Sequence, residues 1–153
     1  MKRLELLIPP PVIMGLVAVF MWWLADMFSA VHEIRFQHKG LSVVLGFIGL
    51  VISLIAIIFF KRSSTTVDPK NLNKTTTLVS SGIYKYSRNP MYLGVLIMLL
   101  GWAFYLGNLL SLFGLALYVI YITRFQIVPE ERYLKEKFGQ QFLDYMSRTR
   151  RWL

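Results

Sequence analysis

Three apolar segments dominate the chain and are separated by segments rich in charged and polar residues. The first two cover residues 8–28 and 41–60, and the second of them contains no charged residue. At about 1.5 Å of rise per residue, twenty residues of helix extend roughly 30 Å, the thickness of the hydrocarbon core of a bilayer. Both segments are therefore predicted to be membrane-spanning helices. Gly46 and Gly49 in the second helix would allow another helix to pack closely against it.

The third apolar segment, residues 91–123, also lacks charged residues and is too long for one membrane helix. As a single helix it would extend about 50 Å. Gly107 and Asn108 in its middle are typical of a turn. The segment is therefore predicted to form a tight hairpin of two short helices, over residues 90–106 and 109–126.

The segment after Pro129 shows apolar residues at helical spacing among charged ones. This pattern predicts an amphipathic helix over residues 129–147 that lies at the membrane surface, with a weak point or bend at Gly139. Trp152 would anchor the end of the chain in the interface. Three arginines are expected at the lipid phosphates: Arg148, Arg150 and Arg151.

The composition favours a membrane protein of one domain over residues 1–153. Of the 153 residues, 56% are hydrophobic, and the mean hydropathy is +0.53, which is too apolar for a soluble domain. The chain contains no cysteine, which excludes disulfides, thiolate nucleophiles and thiolate metal sites. The net charge of +9 could indicate nucleic acid, but on so apolar a chain it favours anionic lipids as partners and no nucleic acid.

The distribution of lysine and arginine predicts the orientation of these helices. Two such residues precede the first helix, six lie in the loop over residues 61–89, and seven lie from Arg124 onward, whereas the opposite side has Arg35 and Lys39. The excess of fifteen against two places both termini and the loop in the cytoplasm, and we expect a plasma (inner) membrane. The predicted fold class is all-α: an integral membrane protein with four transmembrane helices, the last two a tight hairpin, and a C-terminal cytoplasmic amphipathic helix.

A cluster of polar and aromatic residues, over residues 78–94, lies at the start of the third membrane helix. Gly82 indicates a turn, and Pro90 suits the first position of a helix, whose N-terminus offers unpaired N–H donors to a carboxylate. Arg88 adds a guanidinium for the same anion, and Asn89 adds a donor and an acceptor. An equally open alternative is an interfacial belt of tyrosines, with Arg88 on a lipid phosphate. Three aromatic faces would suit an adenine ring or a sulfonium cation: Tyr84, Tyr86 and Tyr92.

A second polar cluster begins directly after Pro129. Glu130 and Glu131 could simply stabilise the start of a helix, but a carboxylate there could also accept hydroxyl or ammonium donors of a cofactor. Arg124 lies six residues before Glu130, inside the end of the fourth membrane helix. A charge at that depth indicates a functional site, although snorkelling to the interface explains it equally well. Because the two clusters flank a membrane hairpin, we expect them to share one site.

The two clusters together resemble a known enzyme family. The first reads G-x-Y-x-x-x-R-N-P-x-Y-x-G from Gly82 to Gly94, and the second reads E-E-x-x-L-x-x-x-F-G from Glu130 to Gly139. This pair of motifs at this separation resembles the isoprenylcysteine carboxyl methyltransferase and phospholipid methyltransferase family of integral membrane enzymes, which use S-adenosyl-L-methionine. The resemblance extends from about Thr65 to the end of the chain.

The resemblance implies roles for individual residues. Arg88, in the motif, is a catalytic candidate, and Arg124 is the candidate for binding the substrate; Glu131 is added as a second catalytic candidate because of its own position and chemistry. The family carries a histidine where this chain has Asn89, which can keep a hydrogen bond to the cofactor but cannot titrate near neutral pH. The residues implied in binding S-adenosyl-L-methionine are Thr76, Thr77, Leu78, Val79, Tyr84, Asn89, Pro90, Met91, Tyr92 and Glu130.

The function implied is methyl transfer from S-adenosyl-L-methionine to a lipophilic acceptor at the cytoplasmic face of the membrane. The acceptor class stays open among an isoprenylcysteine-type carboxylate, a lipid amine and a thiol, and the substrate would enter from the bilayer. Positioning in a site shielded from water would supply much of the acceleration. A carboxylate or thiolate would need no base, whereas an amine would have to lose its proton, with Glu131 as the group nominated to assist.

Two other functions compete with methyl transfer. Sterol reductases, which use NADPH, have a distantly similar C-terminal architecture, but they usually carry a histidine-proline-asparagine-tyrosine element and lack the paired glutamates. A non-catalytic membrane adaptor is the third possibility. His32 and His38 fall on the side opposite the clusters and are expected to be loop residues, so no metal site is predicted.

Overall fold

The structure, a computed structural model, describes residues 5–28, 37–62 and 77–153. In these ranges it contains six α-helices and no strand. Short 3₁₀ turns cover Gly82–Lys85 and Leu109–Ser111, and a π-helical turn covers Thr123–Ile127. The α-helices are α1 (Pro10–Met27), α2 (Lys39–Arg62), α3 (Pro90–Leu106), α4 (Leu112–Ile122), α5 (Val128–Phe138) and α6 (Gln140–Arg148).

Four of the described helical segments are apolar enough to lie in a bilayer. Helices α1 and α2 are long enough to cross it, and so is the continuous helical stretch Leu109–Phe138 that contains α4 and α5. Helix α3, with 17 residues, is shorter but equally apolar. Large apolar side chains on α2, such as Phe47 and Leu54, point outward and are exposed, as expected for a surface that faces lipid. The predicted all-α membrane fold with four apolar helices is confirmed.

Helices α2 and α3 pack with their backbones in close contact. A Cβ atom added at Gly49 would lie 2.7 Å from Cγ of Met98 and closer still to the carbonyl oxygen of Gly94. A Cβ atom added at Gly101 would lie 2.8 Å from the carbonyl oxygen of Ser42. The close packing predicted from glycine in α2 is therefore confirmed at Gly49. Small residues allow this approach because they leave no side chain between the two helices.

Helix α3 lies at the centre of the bundle, with α2 on one side and α1 and α4 on the other. The core between α1, α3 and α4 contains fully buried side chains from each of them, including Met21, Leu99 and Tyr118. Gly114 in α4 admits the side chain of Met21. The indole of Trp102 donates to the carbonyl of Ala18 across 3.0 Å. Because it is surrounded by helices, α3 holds the residues at its N-terminus in a fixed position.

The hairpin between α3 and α4 forms at the predicted turn. Gly107 ends α3 in the left-handed conformation, with φ of 66°, and its N–H donates to the carbonyl of Ala103. The side chain of Asn108 accepts from the N–H of Leu110. Glycine reaches this conformation without strain, and asparagine supplies the local cap that the next helical turn needs.

The fourth helix continues beyond the predicted end at residue 126. Pro129 has no N–H to donate back to the carbonyl of Phe125, four residues earlier, so a normal helical bond is missing there. The π-helical turn accommodates this gap, with the N–H of Val128 donating to the carbonyl of Thr123. The freed carbonyl of Phe125 accepts instead from the N–H of Leu6, at 3.0 Å. Proline therefore changes the register of this helix without ending it.

The C-terminal part forms two helices, where the sequence predicted a single one over residues 129–147. Gly139 separates α5 from α6 with φ of 51° and ψ of −123°, which is not helical. The predicted bend at this residue is thus a complete break. It turns α6 back so that Phe142 is buried, and the last residues of the chain reach the start of α3.

Candidate functional site

The two polar clusters meet at one end of the bundle. The N-terminus of α3 and the start of α5 lie together there, although 38 residues separate Tyr92 from Glu130 along the chain. Two side-chain pairs join the first cluster to the start of α5: Tyr92 with Glu130, and Arg88 with Glu131. The residues just before α1 are at the same end, because the carbonyl of Ile8 accepts from the side chain of Gln126 at 2.7 Å.

The first contact is a hydrogen bond between a phenol and a carboxylate. The hydroxyl of Tyr92 donates to Oε1 of Glu130 across 2.7 Å. Tyr92 is held in the first turn of α3, and its carbonyl accepts from the hydroxyl of Tyr118 at 3.3 Å. The second carboxylate oxygen of Glu130 makes no such bond to another residue in the described ranges, so it remains an acceptor that a ligand can use.

Tyr84 lies beside this pair. Its side chain is buried, and its hydroxyl donates to the carbonyl of Ala56 in α2 at 3.4 Å. Burial raises the pKa of Tyr84 well above its ordinary value, and the nearby Tyr145 and Glu130 add to this effect. The phenol therefore stays neutral and fixed, which suits an aromatic wall better than a proton-transfer role. Tyr86, in contrast, is exposed and lies outside this arrangement.

The second contact is an ion-pair cluster centred on Glu131. Arg88 donates to Oε1 of Glu131 from Nη2 at 2.8 Å and from Nε at 3.3 Å. Arg151 donates to the same carboxylate from Nε, at 3.1 Å to Oε1, and from Nη2, at 2.7 Å to Oε2. The side chains of Arg88 and Glu131 are only 10% and 12% exposed, so water screens this cluster weakly. The bonds to Glu131 also raise the pKa of Arg151.

Two further donors of Arg88, both on Nη1, bind the backbone of the C-terminal segment. Nη1 donates to the carbonyls of Met146, at 3.3 Å, and Thr149. Together with the bonds to Glu131, these contacts engage both arms of the guanidinium. Arg88 therefore organises the protein around it with four of its five N–H donors, and one hydrogen on Nη2 is left for a ligand.

Residues 145–152, here called the C-terminal strap, lie along the segment that precedes α3. The amide of Asn89 donates to the carbonyl of Arg151 at 3.0 Å, and the N–H of Arg88 donates to the carbonyl of Arg150 at 3.0 Å. The hydroxyl of Tyr145 donates to the carbonyl of Tyr84 at 2.7 Å. Asn89 does not cap α3 with its side chain, which leaves N–H groups of the first turn available to a ligand.

The strap is the part of the site that sequence analysis missed. Arg151 had been expected at the lipid phosphates, but its guanidinium binds Glu131 inside the site. Trp152 had been expected as an interface anchor, and its indole donates to the hydroxyl of Thr123 at 3.2 Å. An arginine and a tryptophan at the end of a basic tail give no local signal of this placement, because the return of α6 at Gly139 creates it.

The other predicted residues are placed as follows. Thr76 lies outside the described residues, and Thr77 is exposed. Leu78 is half-buried, and Val79 is buried with Tyr84 against the end of α2. Pro90 is buried at the first position of α3, and Met91, half-buried, accepts at its carbonyl from the hydroxyl of Ser53 at 3.3 Å.

Arg124 lies in the π-helical turn and is half-buried. Its guanidinium carbon is 5.9 Å from the ring centre of Phe125. No ion pair joins it to another residue in the described ranges. A cation without an anionic partner at this depth is available to an anionic group of a ligand.

The donors, acceptors and aromatic surfaces of these residues can be compared with the chemical groups of S-adenosyl-L-methionine. A carboxylate oxygen of Glu130 can accept from ribose hydroxyls or an ammonium group, the first turn of α3 offers N–H donors to a carboxylate, and Tyr84 and Tyr92 provide aromatic surface. The donors and acceptors present therefore fit this cofactor. No group of acidic or histidine residues suited to a metal ion occurs in the ranges that the structure describes, and His32 falls outside them.

Comparison with known proteins agrees with the resemblance noted in the sequence. The family model described as phospholipid methyltransferase matches residues 37–141. Protein-S-isoprenylcysteine O-methyltransferase B of Arabidopsis thaliana is 30% identical over 128 residues, which are 84% of this chain and 58% of that protein. The A protein of the same plant is 31% identical over 112 residues, 71% of this chain and 57% of that protein.

An uncharacterized protein of Haemophilus influenzae is 44% identical over 63 residues, which are 41% of this chain and all of that protein. The chain thus spans less than two thirds of the length of the two plant methyltransferases. No solved structure matches the chain.

Proposed function

The chain belongs to the phospholipid methyltransferase family, and from this premise we propose that it transfers a methyl group from S-adenosyl-L-methionine to a lipophilic acceptor. The observation that carries the proposal is the meeting of Glu130 with Tyr92 at the N-terminus of α3, across 2.7 Å. A carboxylate, uncapped helical N–H groups and buried tyrosines converge there, beside the ion-pair cluster of Glu131. This combination suits a ligand that carries hydroxyls, an ammonium group and a carboxylate.

In the proposed site, each group has a separate task. Glu130 accepts hydrogen bonds from the cofactor, and Tyr92 holds that carboxylate in place. The first turn of α3 directs its N–H groups toward the carboxylate of the cofactor. Tyr84 and Val79 form an apolar wall that keeps water away. When bound, the cofactor supplies an electrophilic methyl group on a sulfonium, so the protein mainly has to align the acceptor with it.

The ion-pair cluster bears on the kind of acceptor. Glu131 was the nominated base for an amine acceptor, but two guanidinium groups now share its carboxylate. Taking up a proton would require this buried cluster to lose its anion, so Glu131 is a poor base. An acceptor that is already anionic, a carboxylate or a thiolate, is therefore the more suitable substrate. Arg124 offers the cation that such an acceptor needs. The plant relatives act on a protein-linked isoprenylcysteine.

The orientation and the membrane partner follow from charge. We place the site and both termini in the cytoplasm because most lysines and arginines in the described ranges lie at that end, and we propose the plasma (inner) membrane. Lys85 and Arg148 are exposed near the start of α3 and the end of α6, and they can bind anionic lipid head groups. The acceptor would then reach the site from the adjoining leaflet.

The test is calorimetric titration of the detergent-purified protein with S-adenosylhomocysteine, the demethylated product. The wild type is expected to bind saturably, and Glu130→Ala is expected to lose most of this binding because no other described carboxylate contacts Tyr92. Glu136→Ala is the matched control, since Glu136 is exposed on the same helix, and it should bind like the wild type.

NADPH is titrated in parallel. Binding of NADPH but not of S-adenosylhomocysteine would favour the reductase function and refute the methyltransferase proposal. Equal affinity of Glu130→Ala and the wild type for S-adenosylhomocysteine would remove Glu130 from the site. Binding of neither ligand by folded protein would favour the non-catalytic adaptor.

A further inference from the structure

The C-terminal strap forms a continuous set of bonds to the segment before α3. The carbonyls of Met146, Thr149, Arg150 and Arg151 all accept from Arg88 or Asn89. The hydroxyl of Ser87 approaches the carbonyl of Arg151 at 3.5 Å. Each of these acceptors is a backbone carbonyl, so their position depends on where the strap lies and hardly on which side chains it carries.

Arg151 and Trp152 anchor the strap to other parts of the site, in addition to the bonds that the side chains of Tyr145 and Thr149 make to the carbonyls of Tyr84 and Lys85. Arg151 binds Glu131 with a bidentate pair, the geometry in which a guanidinium holds a carboxylate most firmly. Trp152 is half-buried against the core and bonds to Thr123 in the π-helical turn. Arg151 thus links the strap to α5, and Trp152 links it to the end of α4.

Glu131 lies next to the cofactor-binding candidate Glu130 on α5. Consecutive residues on an α-helix point about 100° apart, and Glu131 faces Arg88 and Arg151 while Glu130 faces Tyr92. The guanidinium of Arg151 contacts Glu131 and none of the residues proposed to touch the cofactor.

We propose that Arg151 is a positioning residue that assembles the cofactor site by docking the C-terminal strap onto Glu131 and the segment before α3. This inference rests on the proposed function for its ligand. The consequence is that docking of the strap and binding of the cofactor are coupled. When the strap is undocked, the segment over residues 84–89 loosens, Glu130 loses its fixed direction, and the affinity for the cofactor falls. By linkage, a bound ligand must stabilise the docked strap to the same extent.

The experiment compares Arg151→Ala with Arg150→Ala. The side chain of Arg150 is exposed, so the control removes the same charge from the adjacent position without touching Glu131. Affinity for S-adenosylhomocysteine is measured by calorimetry in detergent free of anionic lipid. Hydrogen–deuterium exchange of a peptide covering residues 84–89 is measured without ligand, since the N–H of Arg88 is bonded to the strap.

Arg151→Ala should weaken binding of S-adenosylhomocysteine by roughly tenfold or more, as expected for loss of a charged hydrogen-bonded pair. It should also speed exchange over residues 84–89, and Arg150→Ala should do neither. In a Glu131→Gln background the effect of Arg151→Ala on affinity should shrink severalfold, because the bond through which it acts is already weakened. If Arg151→Ala does not fold, Arg151→Lys provides the same comparison, since lysine cannot form the bidentate pair.

The outcomes separate this inference from the proposed function. If the wild type binds no S-adenosylhomocysteine, both are overturned. If the wild type binds it and Arg151→Ala binds as well as Arg150→Ala, the positioning role is refuted and the proposed function stands. An undiminished effect of Arg151→Ala in the Glu131→Gln background would likewise refute a role through Glu131.

Discussion

Replacing Gly49 with alanine tests whether α2 and α3 depend on backbone contact. The added Cβ would lie 2.7 Å from Cγ and 2.8 Å from the backbone nitrogen of Met98. Ordinary van der Waals contacts between such atoms are about 3.5–4 Å. The backbone nitrogen cannot rotate away as a side chain can, so the two helices must move apart.

The expected magnitude follows from two opposing terms. Overpacking of a tight contact costs about 1–3 kcal/mol, while alanine favours a helix over glycine by about 1 kcal/mol. Gly46→Ala isolates the second term, because Gly46 lies on the same helix and a Cβ there meets nothing within 4 Å. The difference between the two variants should therefore equal the packing term, with Gly49→Ala the less stable.

Thermal unfolding in detergent, followed by tryptophan fluorescence, measures this difference. About 2 kcal/mol corresponds to roughly 4–8 °C in a chain of this size, so Gly49→Ala should melt that far below Gly46→Ala. Equal melting temperatures for the two variants would show that α2 and α3 are not in backbone contact. In that case α3 would not be held in a fixed position at the centre of the bundle.

Two further substitutions probe the site. Tyr145→Phe removes the donor to the carbonyl of Tyr84 and should lower the free energy of unfolding by about 1 kcal/mol. Because burial raises the pKa of Tyr145 in the folded protein, the wild type should keep this advantage up to about pH 9 and lose it as the pH rises above about 10, where the unfolded phenol ionises; an advantage that stays constant above about pH 10 would contradict a neutral phenol donor in the folded protein. Arg124→Ala should raise the KM for an anionic acceptor roughly tenfold without changing calorimetric affinity for S-adenosylhomocysteine, and a loss of that affinity instead would place Arg124 in the cofactor site.

The membrane helices were predictable because their determinants are local. An uncharged segment as long as 41–60 must be a helix in a bilayer, since its N–H and C=O groups can be satisfied only within the segment. Gly107 and Asn108 indicated the turn for an equally local reason, namely the conformations those two residues tolerate. The determinant of the end of the fourth helix, in contrast, was not local. Pro129 looked like a boundary, but the N–H of Leu6, distant in sequence, bonds to the carbonyl that proline leaves free.

In the candidate site, too, some features were predictable from local sequence and others were not. Glu130, Glu131, Arg88 and Tyr92 could be selected from the sequence because charged and polar residues next to membrane helices are few and motif-bound. How these residues pair could not be predicted, because adjacent glutamates with the same local sequence bind different partners. Glu130 binds a tyrosine, and Glu131 binds two arginines. That difference arises from the roughly 100° rotation between neighbouring helical residues and from what each direction meets.

By itself, therefore, the sequence determined the helical membrane architecture, the family and the residue types available for chemistry. Only the tertiary structure decided that Arg88 binds both Glu131 and the strap, and that Arg151 joins the same ion-pair cluster. The physical reason is the range of the interactions. Hydrophobic length and turn preference act within a few residues, whereas the Glu131 cluster joins groups 43 and 20 residues apart, and the return of the chain at Gly139 brings the last of them into contact.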